Sequence, residues 1–505
     1  VRARGVPRDQ GDPAPGLTPI IRPPARVPSG GRGATVAVAV VALVVALATR
    51  ARFAPDDAAL TFRYAERLAA GHGLSFNDHE RVNGASNGLY TLALGGLRWI
   101  GLPVEGTALA MGALAFVAVI VLSWRVASSL GGARGGAVAV VILLVASPFR
   151  SNALSGMEAS VSALLGLSAV AALRWGWEWW AGVLLGLAVW HRLDAGFLAV
   201  AMVCGVLLAR RRLPWRLTLA AVGVAMPYLI FCQVHFGSIL PQSARSKFSG
   251  GADDPSFPQF DRLWVIAALM DVLPCLVAAV PVVLDAWHDR GLDGGAHHGS
   301  DASAAVLALA VWPVLHGTFF SLVPMGAPWP WYLTVLVPPI AILSGSGVGR
   351  WWDDRGRSSA REARPGLSSL LAATGAAFVA ACVVFCAQAS IRGALAPDSV
   401  DDRWQRNDRA AATWLAGVVG PDDVIDSRCW GQPGFRSPLN PVIDPCRLNS
   451  LTSPGPARWV TIRTKDRDDD RSFTVDFCER QRFGRDGDPA QVVVLERSSF
   501  GGDCG

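Results

Sequence analysis

Charge is scarce in this sequence of 505 residues. Only 17% of them are charged, against about 25% in an ordinary soluble protein. Hydrophobic residues make up 51% and the mean hydropathy is +0.34, which excludes a conventional soluble domain. Lysine is scarcer still: among 46 basic residues only Lys247 and Lys465 are lysines, so each stands out. The net charge of +6 is therefore no nucleic-acid signal, and it is read loop by loop as topology. C-x-x-C pairs are missing, which argues against a zinc site. Internal repeats are missing too, and the candidate acids cluster outside the apolar runs, Asp271 apart. A transporter or lipid-carrier flippase would want repeats and mid-span ionisable groups.

What is present is apolar helix. Nineteen Trp and 33 Pro suit a polytopic membrane protein, since Trp gathers at membrane interfaces. Residues 1–33, rich in Pro, Gly and Arg, predict a disordered cytoplasmic tail. Runs near 20 apolar residues predict spans at 34–49, 106–128, 135–149, 159–174, 179–191, 196–210, 214–234, 263–285, 303–323, 331–348 and 367–390. The run 86–102 carries Arg98 and several glycines and reads as a re-entrant or juxtamembrane helix. Eleven spans starting inside leave "ARRRLPWR" (209–216) and "GRWWDDRGRSSAREAR" (349–364) in the cytoplasm, as the positive-inside rule asks. They also put 50–105 and 391–505 outside. The expected fold is thus an all-α membrane domain over 34–390, with first outer loop 50–105, followed by a small α/β extracytoplasmic domain over 391–505. In that domain "RWVTIRT" and "AQVVVLERS" read as strands and "RNDRAAATWLAGV" as a helix.

Cysteines divide in the same way. Cys204, Cys232, Cys275, Cys382 and Cys386 lie in apolar runs as small core residues. Cys429, Cys446, Cys478 and Cys504 lie in the polar C-terminal region and suggest two disulfides in an oxidising compartment. Pairing 429 with 446 and 478 with 504 is the simplest of three connectivities.

Asp56 and Asp57 stand side by side just after the first span. One of them, behind Pro55, suits a helix N-cap, which does not account for both. Two adjacent carboxylates repel, which raises one pKa towards the range of a general base. Equally, the pair suits a divalent cation such as Mg, Mn or Ca. The predicted outward loops also hold Arg63, Arg150, His191, Arg192, Arg245 and Lys247, cations that suit a phosphate leaving group. For most lone arginines, snorkelling at an interface is the commoner role.

Five blocks carry a family resemblance: "DDAALTFRYAERLAAGHGLSFNDHERVNG" (56–84), "ASNGLYTL" (85–92), "LSGMEASVSALL" (154–165), "HRLDAGFLA" (191–199) and "FGSILPQSARSK" (236–247). In this order they resemble the GT-C superfamily of glycosyltransferases, which take sugar from polyprenyl-phosphate donors. Within it they look like the actinobacterial arabinofuranosyltransferases of the terminal β-(1→2) type. The resemblance implies Asp56 and Asp57 as catalytic acids, with Asp56 the favoured base. It implies Lys247, with Arg245, Arg192 and Arg63, at the donor phosphate, and His72, Asn77, Glu158, His191 and Asp194 around the cavity. It implies a lipid-linked donor, decaprenyl-phosphoryl-arabinofuranose, a cell-envelope glycan acceptor and a place in the cytoplasmic membrane.

The sequence departs from the family pattern at several positions. Asn83 stands for an acid, Gly88-Leu89-Tyr90 for an aromatic "FLW", Leu193 for a proline, Ala195 for a glycine, and Gln242-Ser243 for "NT". Alternatives therefore stay open: a mannosyl- or other hexosyltransferase of the same fold, or a catalytically silent scaffold. Trp430, Arg436 and Arg447 are candidates for touching a glycan acceptor. Neither oligomeric state nor metal use is legible.

Overall fold

The computed structural model describes residues 32–49, 54–242, 244–245, 273–289, 297–322, 330–358, 373–377, 379–381, 384, 388, 400–427, 431–443, 456–463, 477–485, 488 and 490–498; of Asp56 it describes the backbone only. The tail 1–31, Lys247, Asp271, Cys429, Trp430, Cys446, Arg447 and Cys504 lie outside the described residues. Cys478 is disulfide-bonded.

The N-terminal region is helical. Helix α1 spans Arg32–Thr49, α2 Asp56–Ala69, α3 Gly88–Trp99, α4 Val104–Val145, α5 Ser147–Ala153, α6 Ala159–Arg174, α7 Glu178–His191, α8 Gly196–Arg210 and α9 Trp215–Phe236. Then come α10 (Leu276–His288), α11 (His297–Leu322) and α12 (Val337–Ser358), the last entered through a 3-10 turn over Pro330–Leu336. Among the described residues, six helical stretches are long and apolar enough to cross a membrane: Arg32–Thr49, Val104–Val145, Leu193–Arg210, Trp215–Phe236, Asp301–Leu322 and Trp331–Arg355. Helix α3, with 12 residues, is roughly 18 Å long at 1.5 Å per residue, too short to cross.

Helix α4 joins two expected spans in one element. Its helical geometry breaks at Gly131 and Gly132, where Gly132 takes φ +70°. The break also permits close approach: a Cβ on Gly131 would meet the Ser346 carbonyl of α12 at 2.3 Å. Small residues are what allow helix backbones to approach in a bundle. The core around this contact contains Phe116, Ile120, Leu143, Leu167, Leu309 and Ile340, all essentially inaccessible.

Ion pairs show which helix ends lie together. Arg350 reaches the Leu130 carbonyl at 2.8 Å and Asp285 at 2.8 Å, Arg134 meets Asp353 at 2.8 Å, and Arg210 pairs with Glu178 and Asp301. At the other end of α11, His316 Nε2 sits 3.0 Å from the Tyr332 carbonyl. The arginine-bearing ends of α8 and α12 thus lie away from Tyr332 and its neighbours.

The C-terminal region consists of α13 (Val400–Val418), β1 (Ile425–Asp426), α14 (Gly431–Arg436), β2 (Val442–Ile443), β3 (Trp459–Arg463), β4 (Phe477–Phe483) and β5 (Val492–Arg497). The sheet runs β2-β1-β3-β5-β4, with β1 parallel to β2 and β3, and β5 antiparallel to β3 and β4. β3 and β5 fall on the expected strand segments; β1, β2, β4 and α14 were not foreseen. This region does not stand apart. Tyr64 and Phe76 share a core with Trp404, Leu415, Ile425, Trp459 and Val492, so α2 and the loop after it are built into the C-terminal layer.

Candidate active site

Helix α2 starts at Asp56 because Pro55 fixes an extended entry: Pro55 is the N-cap, at φ −64°, ψ 161°. The acid pair therefore opens the first turn and does not cap it, which corrects the capping expectation for Asp56. Carboxylates in a first turn gain from the positive end of the helix dipole.

Asp57 lines an open cleft of about 610 Å³ with Thr61, Tyr64, Ala85, Ser86, Asn87, Met157, Glu158, Arg192, Trp331 and Tyr332. Four sequence blocks thus converge here, carried by α2, by the segment before α3, by the turn before α6 and by the turn after α7. Glu158 is 5% exposed. Its Oε1 accepts from Arg192 Nη1 at 2.5 Å, and its Oε2 accepts from Asn87 Nδ2 at 3.0 Å. Arg192 also donates to Asp194, from Nε at 3.0 Å and from Nη2 at 2.7 Å, and lies 5.0 Å from the Tyr332 ring. His191 Nε2 lies 3.1 Å from the Glu158 carbonyl, and its ring meets Tyr90 edge-on at 5.9 Å.

Burial raises the Glu158 pKa, but the Arg192 guanidinium together with the hydrogen bonds to Glu158 and the nearby His191 outweighs it, and the net direction is down. Glu158 is thus a carboxylate at neutral pH with both oxygens committed. Arg192 shares its charge between two carboxylates, as a buried cation needs. With Asp57 added, the charges around the cleft sum to negative.

The remaining expected site residues lie elsewhere. Arg63, 0% exposed, directs its guanidinium at the carbonyls of Phe76 (2.9 Å), Gly434 (2.8 Å), Ser437 (3.1 Å) and Asn440 (2.7 Å) and at Asn77 Oδ1 (3.2 Å). Burial, and then the nearby Arg67, lowers its pKa to about 9, so it stays cationic at neutral pH. Asn77 matches Val442 like a strand partner, donating to its carbonyl at 2.8 Å and accepting from its N–H at 2.9 Å. His72 bonds Asp78 at 3.0 Å. Arg63 and Asn77 face the C-terminal region, and none of the three lines the cleft, because that region supplies backbone groups that sequence spacing does not reveal. Arg436, expected at an acceptor, is bonded to Glu105 at the start of α4 at 2.9 Å. Arg409 pairs with the same carboxylate.

Arg245 is exposed in a turn that begins at Pro241, and the Gln242 N–H donates to the Asn83 carbonyl at 2.6 Å. The fifth block is thereby tied to the first. Asn87, Thr61, Trp331 and Tyr332 were not singled out from the sequence. Asn87 lay inside a quoted block, and Trp331-Tyr332 were counted as the start of a span.

No protein-family model matches the chain, and no curated protein does. Solved structures do match. ArnT from Cupriavidus metallidurans bound to undecaprenyl phosphate is similar at 16% identity, over 93% of this chain and 98% of that one, with a TM-score of 0.57. The Archaeoglobus fulgidus oligosaccharyltransferase tethered with an acceptor peptide is similar at 11% identity, over 86% and 70%, with a TM-score of 0.52. Both are GT-C glycosyltransferases. The chain has their fold. At these identities the likeness concerns architecture; arabinose specificity does not come with it.

The oligosaccharyltransferase also has a complex with Zn and sulfate, similar to this chain at 13% identity and a TM-score of 0.50. Among the described residues here, no three His, Cys, Asp or Glu side chains gather as a metal set. Glu158, the acid that shares the cleft with Asp57, has its oxygens taken by Arg192 and Asn87. The side chain of Asp56, half of the acid pair, lies outside the described residues.

Proposed function

We propose that this protein is a membrane glycosyltransferase that moves a sugar from a polyprenyl-phosphate donor to a hydroxyl of a cell-envelope glycan. Arabinofuranose is the favoured sugar, and the outer face of the cytoplasmic membrane the favoured place. The observation that carries the reading is the convergence of Asp57, Glu158 and Arg192 in one cleft, on a fold whose solved examples include a protein bound to undecaprenyl phosphate. The arginine-bearing ends of α8 and α12 lie at the opposite end of the bundle, which supports the cleft facing outward.

In this reading an acceptor hydroxyl enters beside the acid pair. A carboxylate of Asp56 or Asp57 takes its proton as the oxygen forms a bond to the anomeric carbon. The bond from that carbon to the phosphate oxygen breaks, and polyprenyl phosphate leaves with the electron pair. Lys247 and Arg245 belong to the block tied to Asn83 and are assigned to the phosphate. Arg192, held in place by Glu158 and Asp194, is the guanidinium that lines the cleft and is assigned to the same group. Preorganised charge of this kind acts without reorganising during the reaction.

A second reading, a mannosyl- or other hexosyltransferase, has one observation in its favour. Gly88 replaces the family's aromatic, and a Cβ there would meet Tyr228 Oη at 2.2 Å. Gly88 and Tyr228 together line a smaller pocket that shares Tyr64 and Ala85 with the cleft. Purified protein offered polyprenyl-phosphoryl-arabinofuranose or polyprenyl-phosphoryl-mannose, each with a short arabinan and a mannan acceptor, separates the readings. Transfer from the first donor alone supports arabinose, transfer from the second alone replaces it, and transfer from neither overturns the enzyme reading.

A further inference from the structure

The amide of Asn87 joins three elements. It is 3% exposed and lines the cleft. Nδ2 donates at 3.0 Å to Glu158 Oε2 before α6 and at 3.0 Å to Thr61 Oγ1 on α2, while Oδ1 accepts from Thr91 Oγ1 on α3 at 2.9 Å. Thr61 lies one helical turn after Asp57. The amide orientation is fixed by chemistry, since only a donor can face a carboxylate.

We infer that Asn87 is a positioning residue of the cleft: it holds the Glu158 carboxylate aimed at Arg192 and ties that pair to the helix that carries the acid pair. The inference rests on the transferase reading for its effect on turnover, and on geometry alone for the coupling itself. Other groups facing Glu158 are Arg192, with Asp194 behind it, His191 through the Glu158 carbonyl, Tyr90 on α3, and Asp57 in the same cleft. None of these offers a second neutral donor to Oε2 in the way the Asn87 amide does.

Asparagine to aspartate is the informative change, because the side chains are isosteric. Two carboxylates about 3 Å apart do not both ionise freely, so one takes up a proton at raised pH. The carboxyl group introduced at position 87, once protonated, then donates to Glu158 as the amide did. The test measures thermal unfolding of the full-length protein in detergent between pH 5.5 and 8.5 for wild type, Asn87→Asp, Glu158→Gln and the double variant, and sugar transfer for each. Expected is an Asn87→Asp protein that melts lower than wild type at pH 8.5 and recovers on acidification. The double variant should show no such pH dependence. Transfer by Asn87→Asp should likewise recover on acidification in kcat more than in KM, a split that a purely structural residue would not give. An Asn87→Asp protein with the wild-type pH profile of melting overturns the coupling. Coupled melting with transfer unchanged at every pH overturns the positioning role. If wild type transfers nothing from any donor, the melting cycle still judges the coupling, while the transferase reading and the turnover role fall.

Discussion

Replacing Arg63 by methionine keeps an unbranched apolar stem and removes all of its donors. The five bonds it makes lie between 2.7 and 3.2 Å, and three of the acceptors, Gly434, Ser437 and Asn440, belong to the C-terminal region. Gly434 and Ser437 sit at the end of α14, where helix carbonyls have no partner within the helix. A hydrogen bond to a charged group is worth about 1.5–3 kcal/mol, and a buried acceptor left alone costs about 1–3 kcal/mol. Breaking one side of a buried charged network typically costs about 3–5 kcal/mol, and Arg63→Met is expected there. Arg63→Lys keeps the charge but has three donors for five acceptors, so it should fall between wild type and methionine. Hydrogen exchange of the 434–442 amides should accelerate in step with the loss, since α2 and that segment are held to each other. Thermal unfolding in detergent, followed by tryptophan fluorescence, gives the stability. An Arg63→Met protein with wild-type melting and wild-type exchange over 434–442 would refute the claim that this arginine fastens the two regions together.

Local geometry sets two more expectations. Gly88→Ala places a Cβ 2.2 Å from Tyr228 Oη and 2.6 Å from its Cζ, so overpacking should cost about 1–3 kcal/mol, and a second change, Tyr228→Leu, should restore most of the melting temperature. Just before β1, Asp423 accepts from the Gly420 N–H (2.8 Å), Trp459 Nε1 (3.0 Å) and Arg458 Nη1 (3.0 Å). Burial raises its pKa, but these bonds outweigh that and leave it below 3.8. Its stabilisation is then full above pH about 4 and lost as pH falls through the folded value; Asp423→Asn should melt lower at pH 7 and lose that acid-dependent part.

The helices were legible because burial in a bilayer writes itself as run length, and each of the eleven expected spans coincides wholly or in part with residues described as helical. The kink in α4 was legible as a short gap between spans, though not as one continuous element. The cleft was another matter. Asp57, Glu158 and Arg192 are far apart in the chain, and nothing in spacing or periodicity joins them; the resemblance alone did. Arg63 read as a free cation because three of its five partners are backbone carbonyls more than 370 positions away, and a carbonyl leaves no mark on a sequence. Asn87 was hidden for a similar reason: an asparagine ahead of a helix reads as a cap, while its hydrogen bonds run across three elements.

The central claim is that the acid pair carries the transfer. Its most direct test follows radiolabelled sugar from polyprenyl-phosphoryl-arabinofuranose to a short arabinan by wild type and by Asp56→Asn and Asp57→Asn, each shown to melt like wild type. A general base is worth about 10²- to 10⁴-fold, so at least one variant should lose that much in kcat while still binding polyprenyl phosphate. Wild-type turnover by both folded variants would contradict the account.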